Sequence, residues 1–152
     1  MKNIALKESL EIAKLHLARA KFSYEQFSQI KLDKKIFQDS AKVQIIDAFM
    51  LRFIKLQDIM GFKLFKNLLE ATGSYRDDMS MLDVLDKLEK LKLISSSDEW
   101  FSYRRQRNQI THEYPSGEES TLDGIKIAIA HFSKMEKILL DIEKYVEQRK
   151  LI

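Results

Sequence analysis

One stretch of the chain, at positions 107–115, carries the side chains that are best suited to chemistry. Its residues are Arg107, Asn108, Gln109, Ile110, Thr111, His112, Glu113, Tyr114 and Pro115. An arginine guanidinium can bind phosphate oxygens through two parallel hydrogen bonds, and a histidine exchanges a proton near neutral pH. A tyrosine hydroxyl can accept a covalent modification. Together these residue types can handle a phosphodiester without a metal ion.

The composition limits the class of protein that presents this stretch. The chain has 152 residues, which suits one domain, so we treat 1–152 as a single domain. It is 45% hydrophobic and 32% charged, with one proline and four glycines, which is typical of a helical protein with few turns. The net charge of +3 is small beside 26 basic and 23 acidic residues. Charge alone therefore favours a solvated surface of mixed sign over a nucleic-acid partner.

Several classes of site are excluded by the residues that the chain lacks. There is no cysteine, which excludes disulfides, thiol catalysis and cysteine-based zinc sites and fits a reducing cytoplasm. His16 and His131 lie on other predicted helices and have no metal-ligand spacing with His112, so we expect no metal site and no cofactor. The N-terminus is too charged for a signal peptide, and no apolar run approaches the roughly 20 residues that cross a bilayer. We expect a cytoplasmic protein with no membrane association.

The spacing of apolar residues predicts two long helices in the first half of the chain. A stripe of apolar residues runs from Leu6 to Phe27, and residues 31–35 interrupt the pattern. A second stripe runs from Ile46 to Leu69. It passes Gly61, where we expect the second helix to bend. Residues 72–78 are rich in glycine and short polar side chains, which predicts a loop.

Capping residues predict three more helices. Ser80 starts a third helix that ends near Leu93. Ser96 and Glu99 fit a capping box that opens a fourth helix at Trp100.

Pro115 predicts that the fourth helix ends near Glu113. A fifth apolar stripe runs from Ile125 to Val146. Five amphipathic helices without strand alternation or internal repeats predict an all-α fold, namely an antiparallel up-and-down bundle.

The helical wheel of the fourth helix directs Arg107 inward. At about 100° per residue, Arg107 shares an arc with Trp100 and Ile110. A buried arginine needs a partner to compensate its charge. One interpretation is therefore a purely structural ion pair inside the bundle, with Asp47 or Asp58 as the partner.

His112 lies about 140° from Arg107 on the same wheel, so the two residues do not share a face. A lone surface histidine of no consequence is one interpretation. Otherwise, either the last turn loosens before Pro115, or the two residues border a cleft that a second molecule completes. Tyr114 falls on the side of Arg107 if the helix extends that far.

A small basic cluster follows three aromatic residues at positions 100–103. Arg104 and Arg105 precede Arg107, and this arrangement can hold a nucleic-acid backbone while the aromatic rings stack on bases. The alternative is that the rings belong to the core and that two of the arginines are solvated.

Arg107, His112 and Tyr114 fit the pattern R-x4-H-x-Y, and with Asn108 they resemble the motif of the HEPN superfamily. The most similar members are the bacterial HEPN toxins and the nucleotidyltransferase substrate-binding proteins. As in that family, the pattern closes the fourth of five predicted helices and precedes a long helix. The resemblance covers residues 40–145 diffusely. Outside the motif it involves Asp98-Glu99-Trp100, Arg52-Phe53 and Leu56-Gln57-Asp58.

The resemblance implies a homodimer whose two motifs face each other across a cleft and cleave RNA without a metal ion. It implies that His112 acts as a general base or acid, that Arg107 stabilises the charged phosphorane, and that Asn108 orients the phosphate or the histidine. The implied partner is a small nucleotidyltransferase antitoxin that silences the toxin by transferring AMP to Tyr114. The alternative within the family is a non-catalytic subunit that binds a nucleotidyltransferase and its substrate.

Overall fold

The computed structural model describes residues 3–152, and each regular element in that range is helical. The α-helices are α1 (Ile4–Phe27), α2 (Ser40–Ile59), α3 (Phe65–Ala71), α4 (Met81–Lys90), α5 (Ser97–Glu113) and α6 (Glu118–Gln148). The predicted all-α class is confirmed. None of these helices combines the length and the apolar character that a bilayer crossing requires.

α2 and α3 form one continuous rod, because a π-helical turn at Met60–Leu64 joins them. The backbone N–H of Phe65 donates to the carbonyl of Met60, the five-residue spacing that defines a π turn. Gly61 lies in this turn against the indole of Trp100, where an added Cβ would be 3.4 Å from Cζ2. A π turn thus lies at the glycine where a bend was predicted. With the rod counted once, residues 3–152 contain five α-helical segments.

Two helices begin earlier than their apolar stripes predict, and a side-chain cap explains the early start of the first of them, α2. The carboxylate of Asp39 accepts hydrogen bonds from the backbone N–H groups of Ala41 and Lys42, so α2 starts at Ser40. A short 3-10 helix at Lys34–Gln38 precedes it, in the region where the sequence indicated only a break. α6 likewise starts at Glu118, one and a half to two turns before Ile125.

The capping predictions for α4 and α5 are confirmed in part. Ser80 and Asp83 form a complete capping box. Ser96 accepts a hydrogen bond from the N–H of Glu99, which starts α5 at Ser97 rather than at Trp100. The Glu99 carboxylate does not complete a second box, since it accepts from the hydroxyls of neighbouring residues instead. α4 ends at Lys90, a turn earlier than expected.

The core lies where the predicted stripes meet, and α2 is at its centre. The Phe49 ring of α2 packs edge-on against Phe27 of α1 at 5.4 Å and against Phe132 of α6 at 5.3 Å between ring centroids. At the other end of the rod, Phe65 packs against Trp100 of α5 at 4.7 Å. Because α2 contacts α1, α5 and α6, its polar residues can reach the helix that carries the motif.

The close contact at the π turn predicts a graded response to larger side chains at position 61. Gly61→Ala should change the free energy of unfolding by less than about 1 kcal/mol, because its Cβ meets Trp100 at ordinary contact distance and alanine favours helix. Gly61→Leu should lose about 1–3 kcal/mol, since the buried indole of Trp100 cannot retreat. Urea denaturation measures both. Equal denaturation midpoints for the two variants would show that Trp100 does not limit the space at this turn.

Candidate functional site

Arg107 is fixed by Asp58 of α2. Its Nε donates to Oδ1 of Asp58 at 2.8 Å and its Nη2 donates to Oδ2 at 2.6 Å. Two parallel charge-assisted hydrogen bonds are a strong and directional contact. The two side chains are only 21% and 28% exposed. The inward position of Arg107 and the ion pair with Asp58 are confirmed, whereas Asp47 is not its partner.

The guanidinium keeps hydrogen-bonding capacity beyond this pair. An arginine has five N–H donors. Two of them bind Asp58, and Nη1 donates to Oδ1 of Asn108 at 3.3 Å. The other two donors, on the terminal nitrogens, have no acceptor among residues 3–152. Arg107 and Asn108 line a small cavity of about 70 Å³ that opens beside Asp58. A phosphate oxygen at this cavity can accept hydrogen bonds from the remaining donors.

Tyr114 is held by a second carboxylate of the same helix. α5 ends at Glu113, and Tyr114 takes an extended conformation as its C-terminal cap. The Tyr114 hydroxyl donates to Oδ1 of Asp47 at 2.5 Å. Burial and this hydrogen bond raise the pKa of Tyr114 far above its usual range. Asp47 and Asp58 are about three turns apart on α2, so one face of α2 holds both the arginine and the tyrosine of the motif.

His112 is exposed on the last turn of α5. Among residues 3–152, no side-chain hydrogen bond or ion pair involves it, and no such contact joins it to Arg107 or Tyr114. The helix is regular through Glu113, so of the two alternatives the loosened last turn is not observed. Within one chain the structure ties Arg107 and Tyr114 to α2, places Asn108 against Arg107, and leaves the imidazole of His112 facing solvent.

The aromatic residues beside the basic cluster of α5 agree with the alternative in which the rings belong to the core. Trp100 and Tyr103 are 1% and 4% exposed, so they belong to the core and cannot stack on bases. Arg104 instead lies over the ring of Phe62, with its guanidinium carbon 4.4 Å from the ring centroid. Arg105 is exposed.

Two functional candidates were missed in the sequence, namely Asp47 as the partner of Tyr114 and Phe62 as the partner of Arg104. In the sequence Phe62 is an apolar residue like its core neighbours, so no signal marks it as exposed. Asp47 had been proposed only as a partner of Arg107, because a helical wheel cannot show which neighbouring helix residue a flexible side chain reaches.

A second group of basic residues lies between α1 and α2. Nδ1 of His16 and Nη1 of Arg52 are 3.2 Å apart. Burial and the nearby charges of Arg52, Lys55 and Arg19 lower the pKa of His16, which keeps the imidazole neutral and able to accept from Arg52.

Comparisons with protein-family models, with curated proteins and with solved structures find no match to this chain. Within residues 3–152 no three histidine, aspartate or glutamate side chains are grouped as metal ligands. The functional interpretation therefore depends on the motif pattern and on the geometry around Arg107.

The ion pair between α2 and α5 predicts a measurable coupling energy. Asp58→Ala should lower the free energy of unfolding by about 1–3 kcal/mol, because it leaves a half-buried guanidinium without its main acceptor. The double variant with Arg107→Ala should lose less than the sum of the two single variants. As a control, Asp141→Ala removes the more exposed pair with Lys137 and should cost under about 1 kcal/mol. Additive losses at Asp58 and Arg107 would contradict the coupling.

The lowered pKa of His16 predicts a loss of stability in mild acid. The unfolded chain binds a proton as the pH falls through 6.5, the ordinary pKa of histidine, while the folded chain resists protonation at His16. Stability therefore falls from about pH 7 to about pH 5. His16→Gln should lose less stability over this range in urea denaturation, with a residual slope from His131, whose pKa is also lowered by burial. An unchanged slope would exclude His16 as a cause.

Proposed function

We propose that the chain is a HEPN-type, metal-independent endoribonuclease and the toxin of a bacterial toxin–antitoxin pair that acts in the cytoplasm. The observation that carries this proposal is the arrangement of α5. A guanidinium with two further donors is held by Asp58, and an exposed imidazole that has no partner among residues 3–152 follows five residues later. One helix end thus supplies an anion-binding group and one proton-transfer group, both of which the reaction uses.

In the proposed reaction the 2′-oxygen of a ribose attacks the adjacent phosphorus, and the bond from phosphorus to the 5′-oxygen breaks. His112 takes the proton of the 2′-hydroxyl or gives a proton to the leaving oxygen. Arg107 binds the non-bridging oxygens, where negative charge increases in the phosphorane. Asn108, hydrogen-bonded to Arg107, orients the phosphate. The products are a 2′,3′-cyclic phosphate and a 5′-hydroxyl.

We propose that a second copy of the chain completes this site. One motif offers one imidazole, which lies about 140° from Arg107 around α5, whereas acid and base are both required. A two-fold axis beside α5 brings two motifs to one cleft. Leu51, one turn from Asp47 on α2, is 51% exposed, and this apolar surface beside the motif supports a contact between copies.

The proposed architecture of each copy is an antiparallel up-and-down bundle. Lys21 pairs with Glu136 at 3.0 Å, and Lys14 pairs with Glu143. Residue numbers therefore rise along α1 as they fall along α6 at these contacts. This order supports the antiparallel arrangement of the two helices.

The proposed partner is a nucleotidyltransferase antitoxin that transfers AMP to Tyr114. The hydroxyl is protonated in the free protein and donates its proton to Asp47, so its modification requires a base. Asp47, 2.5 Å away, can take the proton as the tyrosine oxygen attacks the α-phosphorus of ATP and pyrophosphate leaves. The attached AMP places a negative phosphate next to the motif, where it repels RNA.

A second candidate function is a non-catalytic subunit that binds a nucleotidyltransferase. The observation that favours it is that the Asp58 carboxylate already compensates the charge of Arg107, as in an ion pair that serves only the fold. Expression without a partner discriminates the two, since a ribonuclease arrests growth and a binding subunit does not.

The catalytic proposal predicts RNA cleavage in the presence of EDTA. Purified protein should cleave RNA, and His112→Ala should slow the reaction at least about 100-fold, the lower end of what a general acid or base contributes. His16→Gln, which alters a histidine on α1, is the control and should cleave like the parent. Equal activity in the parent and His112→Ala, or no activity in either, would exclude the proposed nuclease.

A further inference from the structure

Phe62 is an aromatic residue that lies on the surface and not in the core. It lies in the π turn and is 52% exposed, whereas Leu64 and Phe65, which follow it, are fully buried. π turns shift the residues that a helix presents and occur often at functional sites. This turn displays a phenyl ring on the surface that also carries Asp58.

The Phe62 ring is covered by one side chain, and the backbone next to it is packed against the core. Arg104 covers it in a cation–π contact at 4.4 Å. The adjacent Gly61 packs against Trp100, which is 1% exposed. A large apolar side chain that is half-exposed and yet held in place has the properties of a binding surface.

Phe62 and Arg104 also line the cavity beside the motif. The same depression of about 70 Å³ is lined by Asp58, Arg107 and Asn108. This volume is too small to enclose a nucleobase. A base can therefore lie only over the exposed surface of the ring, while its phosphate reaches the free donors of Arg107.

We propose that Phe62 and Arg104 form a stacking platform for an unpaired nucleobase next to the scissile phosphate. This inference rests on the proposed function and names its substrate as single-stranded RNA. Aromatic rings and guanidinium planes stack on splayed bases, whereas the bases of a duplex are already stacked on each other. Because every base has an aromatic face, the platform selects for strandedness and only weakly for sequence.

RNA binding in the His112→Ala background tests this platform without cleavage. Fluorescence anisotropy with a labelled single-stranded RNA should show that Phe62→Leu weakens binding roughly 5- to 150-fold, which corresponds to about 1–3 kcal/mol per stacked base. Phe62→Trp should retain binding. Phe22→Leu changes a phenylalanine on α1 that is 68% exposed and is the matched control, which should bind like the parent. A duplex of the same sequence should compete poorly.

Several outcomes would overturn the platform. These are parental affinity in Phe62→Leu, an equal loss in Phe22→Leu, equal competition by duplex RNA, and a loss of binding in Phe62→Leu that accompanies a change in oligomeric mass. Phe62-dependent binding by a protein that does not cleave RNA in EDTA would support the platform and refute the nuclease. RNA cleavage in EDTA together with RNA binding that does not depend on Phe62 would support the nuclease and refute the platform.

Discussion

The ion pair between Arg107 and Asp58 is the contact on which the site depends. It joins α5 to α2 through two short hydrogen bonds, and the carboxylate compensates the charge of a cation on the inward face of a helix. A partly buried guanidinium without a carboxylate would be costly, so the pair determines that Arg107 stays ordered without a ligand. The same pair leaves two N–H donors directed away from Asp58, and in the proposed function these donors bind the phosphate.

Other polar residues of α2 also form hydrogen bonds to α5 and to the residue that follows it. Gln57, which is 3% exposed, donates to the backbone carbonyl of Tyr103 at 3.0 Å, and Asp47 holds the hydroxyl of Tyr114. With Asp58, three polar residues of α2 thus contact the α5 helix and the tyrosine that caps its C-terminal end. Among residues 3–152 the His112 side chain has no such restraint. A fixed guanidinium beside an unrestrained imidazole is the arrangement expected if the imidazole meets its partner on another molecule.

The sequence predicted those features that depend on periodicity and on local hydrogen bonds. The apolar stripes gave the helices, Ser80 and Ser96 gave two helix starts, and the wheel of α5 gave the inward direction of Arg107 with Asp58 as a possible partner. Features that depend on tertiary contact were missed. Phe62 is indistinguishable from a core residue in the sequence, because only the π turn exposes it.

Chemical cross-linking at position 112 tests most directly whether the site is formed by two copies of the chain. The parent has no cysteine, so His112→Cys carries a single thiol. A short bismaleimide should link two His112→Cys chains into a covalent dimer, because a two-fold axis beside α5 brings both positions to one cleft. Lys144→Cys, exposed on α6, should remain unlinked under the same conditions. A monomer for His112→Cys, or equal linking at both positions, would contradict a site shared between two chains.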